Sequence, residues 1–250
     1  MSTAERSTCH IWWAAVPGAA QHSRHLLSEV ELNRFGTLRQ AGDQDRFVAG
    51  RALLRTLAAG LLGTAPERVA VAASCPDCPR PHGKPTLVGT GWEVSLSHAG
   101  AWVAVALTSG GPVGVDVEEI DASLALKDLA SHVFAEAEPA AGGAEPSPLS
   151  FFRTWTRKEA VLKATGNGLR TPMSALAVSD AASAPALTAF TGRPDLVERV
   201  RLADLRPAPG YAAAVAVIAP GAVEFVDHGA LDLGSGTPRE GWWRASNLAV

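Results

Sequence analysis

The sequence predicts an α+β fold, because its strand patterns and its helical patterns are grouped and do not alternate regularly. Alternating apolar and polar residues mark strands at 92–97, 102–107 and 113–117, with only turns between them. Long helical patterns at 43–62 and 151–165 stand before and after this group. A doubly wound parallel sheet would instead require strands and helices in regular alternation.

The two halves of the chain have similar layouts, since each contains one long helix and several strands. We therefore expect two α+β subdomains, residues 1–108 and residues 109–220, although no close internal sequence repeat relates them. Residues 221–250 are rich in glycine and contain an isolated Trp242-Trp243 pair. This last segment is interpreted as a tail of unknown role.

Composition limits the classes of function. The chain has 250 residues, 47% of them hydrophobic, and a formal net charge of −3. That charge argues against a broad nucleic-acid-binding surface, so any recognition of anions must be local. No apolar run approaches the roughly 20 residues of a membrane span, and no apolar signal-peptide stretch follows Arg6. Three cysteines do not make a disulfide framework, and a cytoplasmic protein is expected.

The other elements follow from periodicity and from turn residues. Strands are expected at 10–16, 69–73, 176–179, 197–202 and 211–218, and helices at 23–32 and 124–134. Residues 135–150 contain three prolines and two glycines, a composition that predicts a mobile connection instead of packed structure.

The strongest chemical signal is Gly114-Val115-Asp116-Val117-Glu118. Residues two apart on a strand point to the same face, so Asp116 and Glu118 project together. Neighbouring carboxylates repel each other, and their oxygens are ligands that suit Mg²⁺. Glu159, on the second long helix, offers a third carboxylate. A solvated acidic face of an ordinary strand is the alternative interpretation.

The helix around Glu159 has an unusual face. Trp155, Glu159 and Lys163 recur at helical spacing, so an indole, a carboxylate and an ammonium share one side. Glu159 and Lys163 could form only a surface ion pair four residues apart, worth about 0.2–0.5 kcal/mol. Trp155 is expected to anchor the helix against the sheet, while Lys158 faces another direction and is expected at the rim of the site.

Two loops offer groups that bind anions. Arg80-Pro81-His82-Gly83-Lys84-Pro85 can present backbone N–H groups and an ammonium to a phosphate, although a surface turn is the alternative and the P-loop spacing is absent. Ser97 and His98 end a predicted strand. They point to opposite faces and lack a G-x-S-x-G elbow, so anion binding by His98 is favoured over a hydrolase pair.

A C-x₂-C pair, Cys75 and Cys78, precedes the Gly-Lys loop. A structural zinc site needs about four ligands. Cys9 is the remaining thiol, and His82 is nearby in the sequence. A turn with two free thiols is therefore expected.

Together these motifs resemble the 4'-phosphopantetheinyl transferases, of the larger type that activates surfactin synthetase and in the subgroup with a Trp-x-x-Lys-Glu-Ala helix. The order of motifs carries the resemblance, which covers roughly residues 30–215: Gly-Arg-x-Leu-Leu-Arg at 50–55, Gly-Lys-Pro at 83–85, Ser-His-x-Gly at 97–100, Gly-Val-Asp-Val-Glu at 114–118 and Trp-Thr-Arg-Lys-Glu-Ala-Val-Leu-Lys at 155–163.

The resemblance implies transfer of the phosphopantetheine arm of coenzyme A, the co-substrate, to a serine of an apo acyl or peptidyl carrier protein. Asp116, Glu118 and Glu159 would hold Mg²⁺, or alternatively Mn²⁺, on the pyrophosphate. His98 and Lys163 would contact phosphates. Glu159 would be the base for the serine, either directly or through a water molecule.

The resemblance also implies a nucleotide site. Arg80, Gly83, Lys84 and Pro85 would hold the nucleotide, Ser97 would lie beside the adenine, and Arg34, Arg46 and Arg51 are candidates for the 3'-phosphate. The carrier helix would dock on Ile120–Ala130, with Leu124, Leu126 and Leu129 as apolar candidates for the contact or for the core.

The family fold implied is a monomer of two pseudo-symmetric α+β subdomains with the site between them. Two other functions stay open from the residues alone. One is another Mg²⁺-dependent phosphoryl or nucleotidyl transferase with a different donor, and the other is a non-catalytic module that binds carrier protein or nucleotide.

Overall fold

A computed structural model describes residues 6–75, 77–78, 80–138 and 146–233. The strands are β1 (Ser7–Ala15), β2 (Val71–Ala72), β3 (Thr86–Leu87), β4 (Glu93–Ala99), β5 (Trp102–Thr108), β6 (Val113–Glu119), β7 (Leu176–Val178), β8 (Leu187–Phe190), β9 (Val200–Leu205), β10 (Tyr211–Ile218) and β11 (Val223–Ala230). The α-helices are α1 (Ala19–Ser23), α2 (Glu29–Phe35), α3 (Ala41–Leu62), α4 (Leu126–Val133) and α5 (Pro148–Thr165).

Two main sheets organise these elements. The first has the strand order β11-β1-β5-β4 and the second has the order β6-β10-β9, while β2-β3 and β7-β8 form short ribbons. Neighbours in the second sheet are antiparallel, and β1 pairs in parallel with β11. The predicted α+β class is confirmed.

Three apolar cores hold the layers together. Helix α3 covers one face of the first sheet, where Leu53 packs in the same cluster as Val105. Helix α5 covers one face of the second sheet in the same way. The opposite faces of both sheets share a third core, to which Ile11 contributes from β1 and Val115 from β6. Alternate residues of each central strand therefore serve two different cores.

Helix α5 crosses β6 with almost no space between the two backbones. A Cβ atom added at Gly114 would overlap the carbonyl oxygen of Ala160 and the backbone nitrogen of Ala164. Only glycine permits this approach, because every other residue carries a Cβ. The contact fixes the last turns of α5 directly over the strand that carries Asp116.

The connection before α5 contains a buried ion pair, so its predicted mobility is wrong for the part that the structure describes. Glu138 accepts hydrogen bonds from the backbone N–H groups of Ala135, at 2.7 Å, and Val178, at 2.9 Å. It also pairs with Lys158, which is fully buried and donates to the carbonyl of Val133. Lys158 therefore does not lie at the rim of a site. Residues 139–145 lie outside the described residues.

Arg157, the neighbour of Lys158, is likewise fully buried. Its guanidinium pairs with Asp204 of β9 at 2.7 Å and donates to the carbonyl oxygens of Ser179, Asp180 and Ser183. A buried cation is tolerated only when its donors are satisfied in this way. Arg157 thus ties α5 to β9 and to the loop after β7.

The segment predicted as a tail contributes a strand. Residues Val223–Ala230 form β11 beside β1, so part of 221–250 belongs to the first sheet. This strand also means that the first sheet draws on residues from both ends of the chain. The Trp242-Trp243 pair lies outside the described residues. Within the described ranges, no helix is both long and apolar enough to cross a membrane.

Gly114→Ala is expected to destabilise the protein by about 1–3 kcal/mol or more, because the added methyl group collides with backbone atoms that cannot rotate away. Urea unfolding measures this loss. Gly91→Ala is the matched control, since no heavy atom lies within 4 Å of its added Cβ. Equal unfolding midpoints for the two variants would show that α5 does not rest on Gly114.

Candidate active site

A polar triangle joins α5, β4 and β6. The Lys163 ammonium lies 2.6 Å from Asp116 Oδ1 and 2.9 Å from Ser97 Oγ, and the Ser97 hydroxyl donates to the same Asp116 oxygen at 2.9 Å. Asp116 is 2% exposed, whereas Lys163 retains partial access to solvent. Lys163 therefore pairs with the strand acid and not with Glu159, its neighbour one helical turn earlier.

Serine side chains close the seam between the two main sheets. Strands β4 and β6 lie side by side without a ladder of backbone hydrogen bonds. The Val115 N–H instead donates to the buried Ser95 hydroxyl at 3.0 Å. Ser95 and Ser97 lie on the same face of β4, so both of them bridge to β6.

Glu118 and Glu159 accumulate negative charge beside this triangle. Burial and the Asp116 carboxylate raise the pKa of Glu118 to about 7, with a smaller contribution from Glu159. Burial and Asp116 also raise the pKa of Glu159. The Lys163 ammonium opposes both shifts. Mutual effects of this kind require the three carboxylates to be neighbours. The strand spacing predicted this for Asp116 and Glu118 alone.

The donor set suits a hard divalent cation. Asp116 Oδ2 is buried and has no hydrogen-bond partner among the described residues, and burial together with the Asp116 charge raises the pKa of both glutamates. The three carboxylates do not yet converge into one ligand group, since the oxygens are not all within 4.8 Å of one another in the part of the chain described. Binding of one cation by all three would therefore require rotation of side chains that are buried, at Asp116 and Glu159, or partly buried, at Glu118.

His98 lies at the end of β4, between the triangle and helix α3. Its side chain is exposed, yet nearby protein atoms remove part of its hydration and lower its pKa, and the cations of Lys163 and Arg46 lower it further. Arg46 pairs with Asp43 at 2.6 Å. Arg46 thus belongs to the His98 side of the site.

A second cationic region lies on α2 and α3. The guanidinium carbons of Arg34 and Arg51 each lie 5.7 Å from the centre of the Phe47 ring. Arg34 Nε and one terminal nitrogen of Arg51 are buried and have no hydrogen-bond partner among the described residues. Burial lowers the pKa of Arg51, and the carboxylate of Glu31, 3.6 Å away, opposes this. Unpaired buried donors of this kind provide sites for an anion.

Two adjoining cavities line this region. A cavity of about 790 Å³ is bordered by Arg34, Arg80 and His82, and a second of about 540 Å³ is bordered by Arg34, Arg51 and Phe47. Both volumes fall within the usual range for small-molecule sites. Arg34 and Arg80 therefore border the same cavity.

The first half of the Gly-Lys loop lines the first cavity through Arg80, Pro81 and His82, whereas Gly83 and Lys84 follow directly after that lining. Lys84 Nζ lies 3.6 Å from a carboxylate oxygen of Glu93, and partial burial lowers its pKa. Gly83 donates its N–H to the carbonyl of Ala73 at 2.8 Å, and a Cβ at this position would overlap the Ser74 backbone. The backbone of Gly83 thus fastens the Gly-Lys loop to the segment before the C-x₂-C turn, two residues before the loop ends at Pro85.

The C-x₂-C turn brings its two thiols close to His82, where the sequence favoured a turn with two free thiols over a zinc site. Cys75 Sγ, Cys78 Sγ and a ring nitrogen of His82 all lie within 4.8 Å of one another. Hydrogen bonds from Arg80 and from His82 lower the pKa of Cys78 to about 6. The four-residue spacing from Cys78 to His82 was the available signal. Cys9, in contrast, is fully buried in the third core.

The combination of an α+β fold with an acid cluster on β6 and α5 points to one protein class. A profile of the 4'-phosphopantetheinyl transferase superfamily matches residues 112–216, which contain every residue of the acid cluster. The chain belongs to the 4'-phosphopantetheinyl transferase family.

Individual relatives agree with this assignment. The chain is 31% identical over 170 residues to the 4'-phosphopantetheinyl transferase HetI of Nostoc, a match that covers 64% of this chain and 69% of that protein. It is 27% identical over 140 residues to a 4'-phosphopantetheinyl transferase of Bacillus subtilis, covering 54% and 58%. A phosphopantetheinyl transferase of Thraustochytrium matches 96% of this chain and 85% of its own length, at 27% identity.

The raised pKa of Glu118 predicts a specific pH dependence of stability in metal-free buffer. The folded state binds the Glu118 proton more tightly than the unfolded state, whose carboxyl has its ordinary pKa near 4.5. The associated stability is therefore fully present below that value and is lost as the pH rises to about 7.

Urea unfolding of the wild type and Glu118→Gln between pH 5 and pH 8 measures this effect. The wild type should lose stability relative to the variant across this interval, because glutamine cannot ionise. Parallel stability curves for the two proteins would contradict the shared burial of Glu118 with Asp116.

Proposed function

We propose that this protein transfers the 4'-phosphopantetheine arm of coenzyme A to a serine of an apo carrier protein and releases adenosine 3',5'-bisphosphate. The observation that carries the proposal is the Lys163–Asp116 contact with two glutamates beside it. It combines cation-binding acids and a phosphate-binding ammonium on adjacent elements of the family's matched region.

The finer place within the family is also a proposal. Trp155, Lys158, Glu159 and Ala160 fit the subgroup with a Trp-x-x-Lys-Glu-Ala helix of the type that activates surfactin synthetase. In this chain the residues of the motif have distinct structural environments. Lys158 is a buried structural cation, and Trp155 packs at the edge of the second core. Burial raises the pKa of Glu159, and the Asp116 carboxylate raises it further.

Coenzyme A would bind across the two cationic regions. The 3'-phosphate suits Arg34 and Arg51, whose buried donors lack partners among the described residues. The pyrophosphate suits Lys163 on α5 and His98 at the end of β4. Arg46 would lie between the two regions, since its charge is close enough to lower the pKa of His98. This ordering places the nucleotide in the first half and the reacting phosphorus at β6.

The reaction joins the carrier serine oxygen to the β-phosphorus while the bond from that phosphorus to the bridging oxygen breaks. Asp116, Glu118 and Glu159 would hold Mg²⁺, which supplies charge neutralisation to the pyrophosphate. Glu159 would accept the serine proton. The proton would pass to Glu159 either directly or through a water molecule. Lys163 would stabilise the negative charge on the leaving phosphate.

The carrier protein would dock next to the acid strand. Leu124 is 42% exposed in the segment between β6 and α4, whereas Leu126 is buried in the second core and Leu129 is partly buried against it. Leu124 is therefore the apolar contact that remains available. We further propose a monomer acting in the cytoplasm, on polyketide or non-ribosomal peptide carriers.

Glu159→Gln and Asp116→Ala should each lower transfer by at least about a hundredfold, because each removes a carboxylate that is required for charge neutralisation or proton transfer. Intact mass of an apo carrier protein, incubated with coenzyme A and Mg²⁺, measures the transfer. Glu198→Gln is the control, since Glu198 is exposed in the loop before β9.

Circular dichroism and urea unfolding confirm that each variant is folded. If either variant transferred phosphopantetheine at the wild-type rate, the proposed role of the substituted acid would be wrong. An unmodified carrier with the wild-type enzyme, across acyl and peptidyl carriers, would overturn the proposed reaction.

Arg51→Met should weaken binding of coenzyme A about tenfold to a hundredfold, the range for loss of a hydrogen bond to a charged group. Binding of 3'-dephospho-coenzyme A should not change, because it lacks the phosphate that Arg51 contacts. Calorimetric titration with both ligands measures the difference, and Arg193→Met, an exposed arginine paired with Asp195, is the control. Equal losses for the two ligands would contradict a role at the 3'-phosphate.

A further inference from the structure

The Cys–His cluster, defined as Cys75, Cys78 and His82, has the geometry of a metal site. Cys78 Sγ lies 3.0 Å from a ring nitrogen of His82, and all three ligand atoms lie within 4.8 Å of one another. Zinc bonds of about 2.3 Å to sulfur and about 2.0 Å to nitrogen place tetrahedral ligands about 3.5 Å apart. Only small side-chain rotations would therefore bring these atoms to ligand positions.

The thiols are arranged as metal ligands and differ from the buried cysteine. Cys75 and Cys78 have the C-x₂-C spacing that provides two thiolates from one turn. The Asp77 N–H donates to Cys75 Sγ at 3.4 Å, and a ring nitrogen of His82 lies 3.0 Å from Cys78 Sγ. Donors of this kind around ligand sulfurs hold thiolates in place.

The loop around the cluster has little apolar material to order it. Leu87, the nearest residue on β3 that belongs to the first core, lies beyond the loop, and His82 is exposed. The loop is fastened at its base, by the Gly83 N–H to the Ala73 carbonyl, and at its side, by Asp77 to Arg170 at 3.1 Å. A metal ion supplies the ordering energy that a short loop without a core lacks.

We propose that Cys75, Cys78 and His82 bind a zinc ion whose fourth ligand is a water molecule. The ion fixes the loop that carries Arg80 and leads into Gly83 and Lys84. The same loop supports Arg34, which donates to the Pro81 carbonyl at 3.4 Å. This zinc site is separate from the acid cluster on β6. Its effect on coenzyme A rests on the proposed function, whereas the binding of zinc does not.

Metal content of the protein, purified without chelator and under reducing conditions, tests the site. Inductively coupled plasma mass spectrometry should find about one zinc ion per chain in the wild type and in Cys9→Ala. Cys75→Ser, Cys78→Ser and His82→Asn should lose most of it. Cobalt added to the metal-free protein should give thiolate-to-cobalt charge-transfer absorption in the wild type and in Cys9→Ala, and not in the two serine variants.

Neither measurement needs coenzyme A or a carrier protein, so both remain valid if the proposed reaction is wrong. Wild-type protein that binds no more zinc or cobalt than Cys75→Ser overturns the site. The site is also overturned if the protein purified under reducing conditions has a mass two hydrogens below that of the free-thiol chain, because Cys75 and Cys78 would then form a disulfide. A different result bears on the loop alone. If the wild type binds zinc, and Cys78→Ser loses the zinc but keeps its full affinity for coenzyme A, the ion does not order the loop.

Discussion

The contact between α5 and β6 at Gly114 is the constraint on which the acid site depends. A strand and a helix normally keep the distance that their side chains impose, but here the backbone of α5 touches the strand. This places Lys163 within 2.6 Å of Asp116, although Asp116 is almost fully buried. A wider gap would leave Asp116 as an unpaired buried charge, a state that costs several kcal/mol. The glycine of the Gly-Val-Asp-Val-Glu motif is therefore as necessary as its acids.

The same helix presents two kinds of ionic group for different purposes. Arg157 and Lys158 are fully buried and use their donors on Asp204, Glu138 and backbone carbonyls. These contacts tie α5 to the loops on either side of it. Glu159 follows Lys158 directly, Lys163 lies about one turn further along the helix, and both lie beside Asp116. Rigid support of this kind is what a site needs when its groups must meet within fractions of an ångström.

The sequence could predict the parts of the site that depend on local periodicity. Asp116 and Glu118 were placed on one strand face by their spacing, and the long helices were located by theirs. The Lys163 partner was not predictable, because a surface pair four residues apart competes with a buried carboxylate from a strand far along the chain. The role of Glu138 was missed because the composition of the residues around it predicted a loop. Its partner Lys158 lies twenty residues further along the chain. Strand β11 was hidden because its pairing is with the other end of the chain.

Charge balance connects the acid cluster to its ligands. Three ionised carboxylates with one ammonium leave two negative charges in a poorly hydrated place. The protein alone relieves this by keeping a proton on Glu118 up to a pH of about 7. A divalent cation relieves it without the proton, and because proton and cation seek the same oxygens, binding of one displaces the other. In the proposed function a pyrophosphate would then add negative charge, which the cation, Lys163 and His98 would neutralise. The cluster is therefore neutral only with its cation bound, and attracts the pyrophosphate chiefly in that state.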